Sequence, residues 1–236
     1  WLLPLLEFLD DDRPRLARHH ASALVGLEEH ATQWIGSDEL RMLAKKLQDF
    51  SGMTHQPPAA GFMTTLRPYQ QVGLNWLQFL REYGLAGILA DDMGLGKTVQ
   101  AIAAITQNQN KNKEAKTLII CPTSLLYNWK EELHRFNPTL KAIVVDGIPH
   151  QRKKILAKLS EYDVIITSYT LLQKDIETYS QMPLSYAILD EAQHIKNRGT
   201  RNAKSVKMIQ AAHRLILTGT PIENSLDELW SLMDFL

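Results

Sequence analysis

The chain has 236 residues, of which 44% are hydrophobic and 22% charged, so its composition is that of a globular protein and excludes a disordered or collagen-like chain. Lys and Arg together number 26, as do Asp and Glu, and this zero formal charge gives no sign of a polyanionic partner or a membrane surface. The single cysteine, Cys121, excludes an internal disulfide framework and a cysteine-rich zinc module. We expect a soluble intracellular protein with one large domain, alone or with a small appendage.

The first 55 residues have helical periodicity. Leu24, Leu27 and Ala31 share one helix face, and a similar spacing recurs between Leu40 and Leu47. We predict a helical N-terminal extension over residues 1–55 and, from the prolines, the glycine and the absence of charge, a linker over residues 56–65. Because the chain begins with Trp rather than Met, we expect it to be a piece of a longer protein.

From residue 66 onward, short apolar runs alternate with amphipathic stretches. The runs predict strands at Gly87–Ala90, Thr117–Cys121, Ala142–Val145, Val164–Thr167, Tyr186–Asp190 and Leu215–Thr218. The amphipathic stretches predict helices at 68–82, 98–107, 124–136, 150–160, 200–211 and 225–236. Trp129 lies in the third of these helices beside other apolar residues, and we interpret it as a packing residue. Continuously apolar strands are typical of parallel sheets buried on both faces, so the predicted fold is α/β, with a mostly parallel sheet and helices on both sides.

The segment Asp91–Thr98 follows the first predicted strand and opens a helix. Gly94 and Gly96 allow the backbone to turn its N–H groups toward an anion at a helix N-terminus. Lys97 would reach the β- and γ-phosphates of a nucleotide, and the Thr98 hydroxyl would bind Mg²⁺. Asp91 stands where the usual phosphate-loop pattern has its first glycine, but Gly-Lys-Thr between a strand and a helix still predicts nucleotide binding.

Adjacent carboxylates end another predicted strand. Asp190 can hold the Mg²⁺ that bridges the phosphates, and Glu191 can orient and deprotonate the attacking water. A solvated strand end is the alternative interpretation of such a pair. The phosphate loop upstream favours the catalytic one.

Two further strand ends carry hydroxyl groups. The loop Thr218–Thr220 closes the last strand and could sense the γ-phosphate through the acid motif. Pro122, Thr123 and Ser124 follow the second strand, where N–H groups at a helix start could grip a nucleic-acid phosphate. Each of these would be an ordinary turn or helix cap by itself.

Taken in order, these motifs resemble one family. Residues 66–236 are similar to the Swi/Snf-type DNA translocases of helicase superfamily two, through Leu66–Gln70, Asp91–Thr98, Ile120–Ser124, Thr167–Tyr169, Asp190–Gln193 and Leu217–Asn224. The resemblance implies a RecA-like ATP-binding lobe, the first of two, with the second beyond this chain. A helical extension before the motor is similar to bacterial members of the family.

The resemblance also implies a role for individual residues. The residues that it implies bind the nucleotide are Arg67, Tyr69, Gln70, Asp92, Met93, Gly94, Leu95, Gly96, Lys97 and Thr98, and Gln70 would contact the adenine edge. The implied catalytic residues are Lys97, Asp190 and Glu191. The implied metal ligands are Thr98 and Asp190. Coupling of hydrolysis to movement falls to Gln193, Thr218, Gly219 and Thr220, and nucleic-acid contact to Pro122, Thr123, Ser124, Thr167, Ser168, Tyr169, Lys196 and Asn197. Many relatives have His at the position of Gln193. Gln193 could still hydrogen-bond to the Thr218–Thr220 loop.

In this family the arginine fingers belong to the second lobe. An arginine finger contributes about 10³- to 10⁵-fold to turnover in related phosphoryl-transfer enzymes. We therefore expect the isolated lobe to bind nucleotide and to hydrolyse it very slowly.

Between Lys196 and Arg214 there are six basic residues and no acidic one. Arg201, Lys204 and Lys207 recur every three positions, so they are predicted to share a helix face opposite Ala203 and Val206. This basic stripe is either a solvated surface or a contact for DNA phosphates. Phosphate contacts fix position without reading sequence, as a translocase requires.

These observations predict the nucleotide-binding lobe of an ATP-dependent double-stranded DNA translocase that uses ATP and Mg²⁺ and has no membrane partner. The alternatives are another superfamily-two helicase, such as an RNA helicase, and a catalytically idle scaffold. Residues 1–55 carry six basic and nine acidic groups, whereas residues 66–236 carry 20 and 17, so the balanced total hides a locally basic lobe. We expect a cytoplasmic, nucleoid-associated location in a bacterium, or a nuclear one in a eukaryote, and favour the former.

Overall fold

A computed structural model describes residues 52–222 and 225–236. The chain divides after Thr54, and the unit described below is His55–Leu236. The predicted helical extension over residues 1–55 lies outside the described residues except for its last four, so it stays a prediction. Every helix in the described ranges is too short or too polar to cross a lipid bilayer.

Six parallel strands form one sheet in the described part of the chain, in the order β1-β6-β5-β2-β4-β3. The strands are β1 Gly87–Leu89, β2 Thr117–Cys121, β3 Ala142–Val144, β4 Val164–Ser168, β5 Leu184–Asp190 and β6 Ala211–Leu217. All five residues of β2 and of β4 are buried, as continuous apolar runs predict for central parallel strands. The predicted α/β fold with a parallel sheet is confirmed.

Helices connect the strands and cover both faces of the sheet. They are α1 Pro68–Glu82, α2 Lys97–Lys111, α3 Leu126–Phe136, α4 Pro149–Leu156, α5 Tyr169–Lys174, α6 Ile176–Ser180, α7 Arg201–Lys207 and α8 Leu226–Met233. Side chains of β2 alternate between two cores, with Ile119 in the core under α1, α2 and α3, and Leu118 in the core under α5 to α8. Each face therefore has its own apolar layer, which fixes the sheet between them.

The predicted linker is packed on this lobe. Gln107 Nε2 donates to the Pro57 carbonyl at 2.8 Å, and the amide of Met63 donates to the Phe136 carbonyl at 2.7 Å. The ring of Phe62 stacks on that of Phe136, with centroids 6.3 Å apart. The segment has no helix or strand, but these contacts hold it against α2 and α3.

The largest difference from the sequence predictions lies in the sixth strand. We predicted a helix through residue 211 and a strand from Leu215, whereas α7 ends at Lys207 and β6 already begins at Ala211. The alanines and polar residues at 211–214 favour a helix by propensity, but they pair in register with the first half of β5. Two short helices, α5 and α6, were also missed, because runs of five and six residues carry little periodicity.

Candidate nucleotide-binding site

The carboxyl ends of the parallel strands place the predicted motifs along one edge of the sheet. Leu89 at the end of β1 pairs with Leu217 of β6, and Leu217 pairs in turn with Asp190 of β5. The phosphate loop, the acid motif and the loop after β6 therefore emerge side by side. Ligands of open α/β sheets bind at this edge.

The phosphate loop reaches α2 through two glycines with left-handed backbones. Gly94 has φ = 84° and Gly96 has φ = 82°, a region where a side chain is strained. Gly96 is the N-cap of α2, and no side chain caps this helix start. The first N–H groups of α2 are thus left for an anion, and the positive end of the helix dipole points the same way.

The lysine of the loop lies over the loop backbone. Lys97 Nζ donates to the carbonyl oxygens of Asp91 at 2.7 Å and Asp92 at 3.2 Å. The Asp91 carboxylate accepts a hydrogen bond of 2.8 Å from Gln100 Nε2, which ties it to the buried face of α2. Asp91 keeps a negative φ, so the glycine usual at this position is not needed for the turn.

Residues in the first turn of α1 contact the phosphate loop. Gln70 Oε1 accepts from the Arg67 amide at 2.9 Å, and Gln70 Nε2 donates to the Leu95 carbonyl at 3.1 Å. The Tyr69 hydroxyl donates to the same carbonyl at 3.0 Å. Gln70 lies so close that a methyl group at Gly96 would be 2.6 Å from its Nε2. The predicted adenine-site residues thus support the loop, and contact with adenine stays a prediction.

Asp190 is a buried carboxylate whose orientation is fixed from two sides. Trp129 Nε1 donates to Asp190 Oδ2 at 2.8 Å, and the Glu191 amide donates to Asp190 Oδ1 at 3.0 Å. Burial raises the pKa of Asp190, and the hydrogen bond from Trp129 lowers it. Lys97 is near enough to lower this pKa as well, which places the phosphate-loop lysine and the acid motif in one electrostatic environment.

Glu191 has a strained backbone. Its φ of 50° is the one left-handed angle of a non-glycine residue in the described ranges. Such strain is concentrated at functional sites, where the surrounding structure must maintain it. In the amide orientation that satisfies its neighbours, Gln193 Nε2 donates to Glu191 Oε2 at 3.1 Å and to the Glu191 carbonyl at 3.0 Å. Glu191 therefore holds the Gln193 amide, and the contact of Gln193 with the Thr218–Thr220 loop stays a prediction.

The loop after β6 lies against the phosphate loop. Thr218 is fully buried, and its Oγ1 accepts from the Thr220 amide at 3.2 Å. A methyl group added to Gly219 would be 3.4 Å from Met93 Cγ and 3.9 Å from Lys97 Nζ. The two loops therefore lie within van der Waals range of each other at Gly219.

The donors and acceptors at this edge fit a nucleoside triphosphate with Mg²⁺. Uncapped N–H groups and the Lys97 ammonium suit phosphate oxygens, while the Thr98 hydroxyl and Asp190 carboxylate are the hard oxygen ligands that Mg²⁺ takes. Within residues 52–222 and 225–236, no three His, Cys, Asp or Glu residues cluster as a metal site. The other ligands of Mg²⁺ would therefore be phosphate oxygens and water, as is usual for this ion.

The predicted nucleic-acid contacts differ in exposure. Thr123 and Ser124 are exposed, and Pro122 is partly so, in the loop that leads into α3. Thr167, Ser168 and Tyr169 are all buried; Ser168 caps α5, and the Tyr169 hydroxyl donates to the Asp190 carbonyl at 2.9 Å. The side chains of these last three are therefore corrected from DNA contacts to internal supports, because they have no surface to offer.

The basic segment 196–214 is largely paired with the C-terminal residues. Lys196, which we expected to face DNA, forms an ion pair of 3.3 Å with Glu228, and only 9% of its side chain is exposed. Arg198 and Lys207 form ion pairs with Asp234, and Arg214 donates to the Phe235 carbonyl. As predicted, Ala203 and Val206 are buried.

Two exposed cations of this segment stand outside the ion pairs of the described residues. Arg201 and Lys204 are exposed on α7, and no ion pair holds either one within the part of the chain that the structure describes. Asn197 is also exposed, although its Oδ1 accepts from the Gly199 amide. The stripe predicted from periodicity is thus reduced to two free cations.

Sequence reasoning missed the role of α3. We interpreted Trp129 as a packing residue, and it is 1% exposed, but its indole N–H also holds Asp190. One turn later, Glu132 interacts with Thr98 of the phosphate loop. A Trp and a Glu three residues apart, directly after a strand-end motif, were the available signal.

Residues 69–236 of the chain match a family model described as the SNF2-related domain. The chain belongs to this SNF2-related family. The resemblance that the motifs indicated is confirmed.

Two curated relatives show how much of longer SNF2-type proteins this chain represents. It is 47% identical over 184 residues to the TATA-binding protein-associated factor MOT1 of Saccharomyces cerevisiae, with 73% of this chain and 10% of that protein covered. It is 42% identical over 203 residues to the putative ATP-dependent helicase/translocase YwqA of Bacillus subtilis, with 85% of this chain and 22% of that protein covered.

Solved structures agree with the fold. The Sulfolobus solfataricus SWI2/SNF2 ATPase core in complex with double-stranded DNA has a TM-score of 0.72 and 43% sequence identity. The match covers 78% of this chain and 38% of that one.

Proposed function

We propose that this lobe binds ATP with Mg²⁺ and hydrolyses it as the nucleotide-binding part of a double-stranded DNA translocase. The observation that carries the proposal is the strand register, in which Leu217 of β6 pairs with Leu89, just before the phosphate loop, and with Asp190, just before Glu191. A lysine and two carboxylates at adjoining strand ends are the groups that phosphoryl transfer requires.

Each residue then has a chemical role. The N–H groups at the start of α2 and the Lys97 ammonium bind the β- and γ-phosphates. Thr98 and Asp190 would hold Mg²⁺, which supplies charge neutralisation on the phosphates when bound. Glu191 orients a water and takes its proton as the water oxygen bonds to the γ-phosphorus and the bond to the bridging oxygen breaks.

Supports for hydrolysis and its coupling come from neighbouring residues. Gln193 restrains Glu191 through two hydrogen bonds, so it would set the position of the base. Gly219, in the loop after β6, lies beside Lys97. This loop would therefore respond to a change at the phosphates, which is the coupling role proposed for Thr218, Gly219 and Thr220.

The proposed polymer is double-stranded DNA, bound through its phosphates. The solved relative with a TM-score of 0.72 is a complex with double-stranded DNA. On this chain, Thr123 and Ser124 are exposed at a strand end, and Asn197, Arg201 and Lys204 are exposed near the acid motif. Such contacts would position the motor without reading sequence.

The test is ATP hydrolysis by the complete protein that contains this lobe, measured without nucleic acid, with duplex DNA and with RNA. We expect stimulation by duplex DNA that Lys97→Ala abolishes. Stimulation by RNA alone would show an RNA helicase instead. Hydrolysis that is equal in the parent and in Lys97→Ala would show that the activity does not come from this site.

A further inference from the structure

One face of α3 contacts both residues that would bind the metal. Trp129 donates to the Asp190 carboxylate at 2.8 Å. Glu132, three residues later, lies close enough to Thr98 for the Thr98 hydroxyl to lower its pKa, which burial raises. Residues three apart on a helix lie on the same side, so a single helix turn reaches the acid motif and the phosphate loop.

The polar groups of Trp129 and Glu132 are shielded from solvent. Trp129 is 1% exposed, so its indole has no alternative partner in solvent, and an unpaired N–H would be costly there. The Glu132 Oε2 atom is buried and accepts no hydrogen bond from the described residues. A buried carboxylate oxygen with a spare acceptor position next to Thr98 suits a water bound to a metal.

The helix itself is rigidly anchored. Leu126 and Leu133 on α3 are fully buried in the core beneath α2. Before α3, the Leu125 amide donates to the Pro122 carbonyl at 2.9 Å, and a single 3-10 turn runs directly into the helix. The two donor and acceptor groups are therefore presented by a fixed element rather than by a loop.

We propose that Trp129 and Glu132 are positioning residues for Mg²⁺, with Trp129 orienting Asp190 and Glu132 orienting Thr98. This inference rests on the proposed function, because it concerns the metal of the same nucleotide site. Partners that orient a metal ligand typically change metal affinity by about 10- to 100-fold when they are removed. The direct consequence is a changed requirement for Mg²⁺, with binding of the metal-free nucleotide unaffected.

The experiment measures binding of adenylyl imidodiphosphate by calorimetry, in EDTA and across a series of Mg²⁺ concentrations. Trp129→Phe keeps a ring in the core and removes the donor, and Glu132→Leu removes the acceptor. We expect both to need about tenfold more Mg²⁺ for half-maximal binding, with unchanged affinity in EDTA. Glu132→Gln, which keeps an acceptor oxygen, should restore much of the loss.

Trp76→Phe is the matched control, because Trp76, on α1, is a partly buried core residue that packs near Gly87 of β1. We expect it to keep the Mg²⁺ requirement of the parent. A parental requirement in both Trp129→Phe and Glu132→Leu would overturn the proposal, as would an equal loss of affinity in EDTA, which indicates a merely structural role.

The proposed function and the proposed role of Trp129 and Glu132 can fail separately. If Trp129→Phe does not fold by circular dichroism, Glu132→Leu and Glu132→Gln decide the proposal. If the parent chain itself binds the nucleotide equally in Mg²⁺ and EDTA, or not at all, the proposed function fails and the inference fails with it. If the parent depends on Mg²⁺ and the variants match it, the inference alone fails.

Discussion

The carboxyl edge of the sheet and the basic segment 196–214 both carry charged residues, but they use them in opposite ways. At the edge, the buried Asp190 is held by an indole and an amide N–H, and Lys97 by two carbonyls. In the basic segment, Lys196 is paired with Glu228 and Lys207 with Asp234.

This difference separates charges that serve chemistry from charges that serve the fold. A buried charge without an opposite partner costs stability and remains available to a ligand. A paired charge stabilises its surroundings and is unavailable to a partner unless the pair breaks. The following predictions test that distinction, in order of decreasing effect.

The largest effect is expected from Glu191→Gln. Removing a general base lowers the rate of the chemical step by about 10²- to 10⁴-fold, while the amide keeps the size of the side chain. Nucleotide affinity should stay near that of the parent, since Glu191 is assigned to the water rather than the phosphates. Single-turnover hydrolysis by the complete protein measures the first quantity and calorimetry the second; a parental rate would remove Glu191 from the mechanism.

Lys196→Ala should destabilise the lobe rather than weaken DNA binding. It removes the ion pair with Glu228, whose side chain is 16% exposed, at a cost of about 2 kcal/mol in the free energy of unfolding. Lys204→Ala removes an exposed lysine from the same segment and should change stability by less than about 0.5 kcal/mol. Urea denaturation compares the two, and equal stabilities would show that the ion pair contributes nothing.

Asp190→Asn should remove both the use of Mg²⁺ and the pH dependence that Asp190 gives to the stability of the lobe. The pKa of Asp190 is raised by burial, so between its ordinary value of 3.8 and the raised value the folded chain holds a proton that the unfolded chain releases. Stability therefore falls as pH rises through this window, and the penalty is complete above it.

Relative to the parent, Asp190→Asn should accordingly gain stability as pH rises from about 3 to neutral. This gain is added to a constant cost, because an amide has one acceptor oxygen for the two N–H donors of Trp129 and Glu191. Thermal unfolding of parent and variant across this pH range measures the difference, with the exposed Asp92→Asn as the control. A difference that does not change with pH would show that the fold does not raise the pKa of Asp190.

The smallest effect is expected from Arg201→Ala and Lys204→Ala on DNA affinity. If each cation contacts one phosphate, each substitution lowers the slope of log affinity against log salt by about 0.9 and acts equally on all sequences. Lys153 and Lys154 on α4 are exposed and provide a control pair. An unchanged slope in the complete protein would return α7 to a solvated surface.

The strand-end motifs could be predicted from the sequence because parallel topology brings strand ends to one edge whatever the details of packing. The phosphate loop and the acid motif could be joined in this way without any knowledge of distances. The exception is Gln193, whose short side chain bonds within its own turn, to Glu191. Local hydrogen bonds of this kind depend on the strained φ of Glu191, which no pattern announces.

The basic stripe was predicted less well because periodicity describes one helix and not its neighbours. The spacing correctly predicted that Ala203 and Val206 are buried. It could not show that Asp234, 27 residues further along the chain, would lie beside Lys207. The same limit applies to Trp129. Its apolar ring was predicted in the core, whereas its hydrogen bond to Asp190, 61 residues away, depends on the pairing of distant strands.

Calorimetry of ATP binding to this chain in the presence of Mg²⁺, with Lys97→Ala beside the parent, tests the central claim most directly. We expect saturable binding by the parent and an affinity at least about tenfold lower in Lys97→Ala. The reason is that a charge-assisted contact to the phosphates contributes about 1.5–3 kcal/mol. Equal and negligible heats for the two proteins would contradict it and leave the lobe as a scaffold that binds no nucleotide.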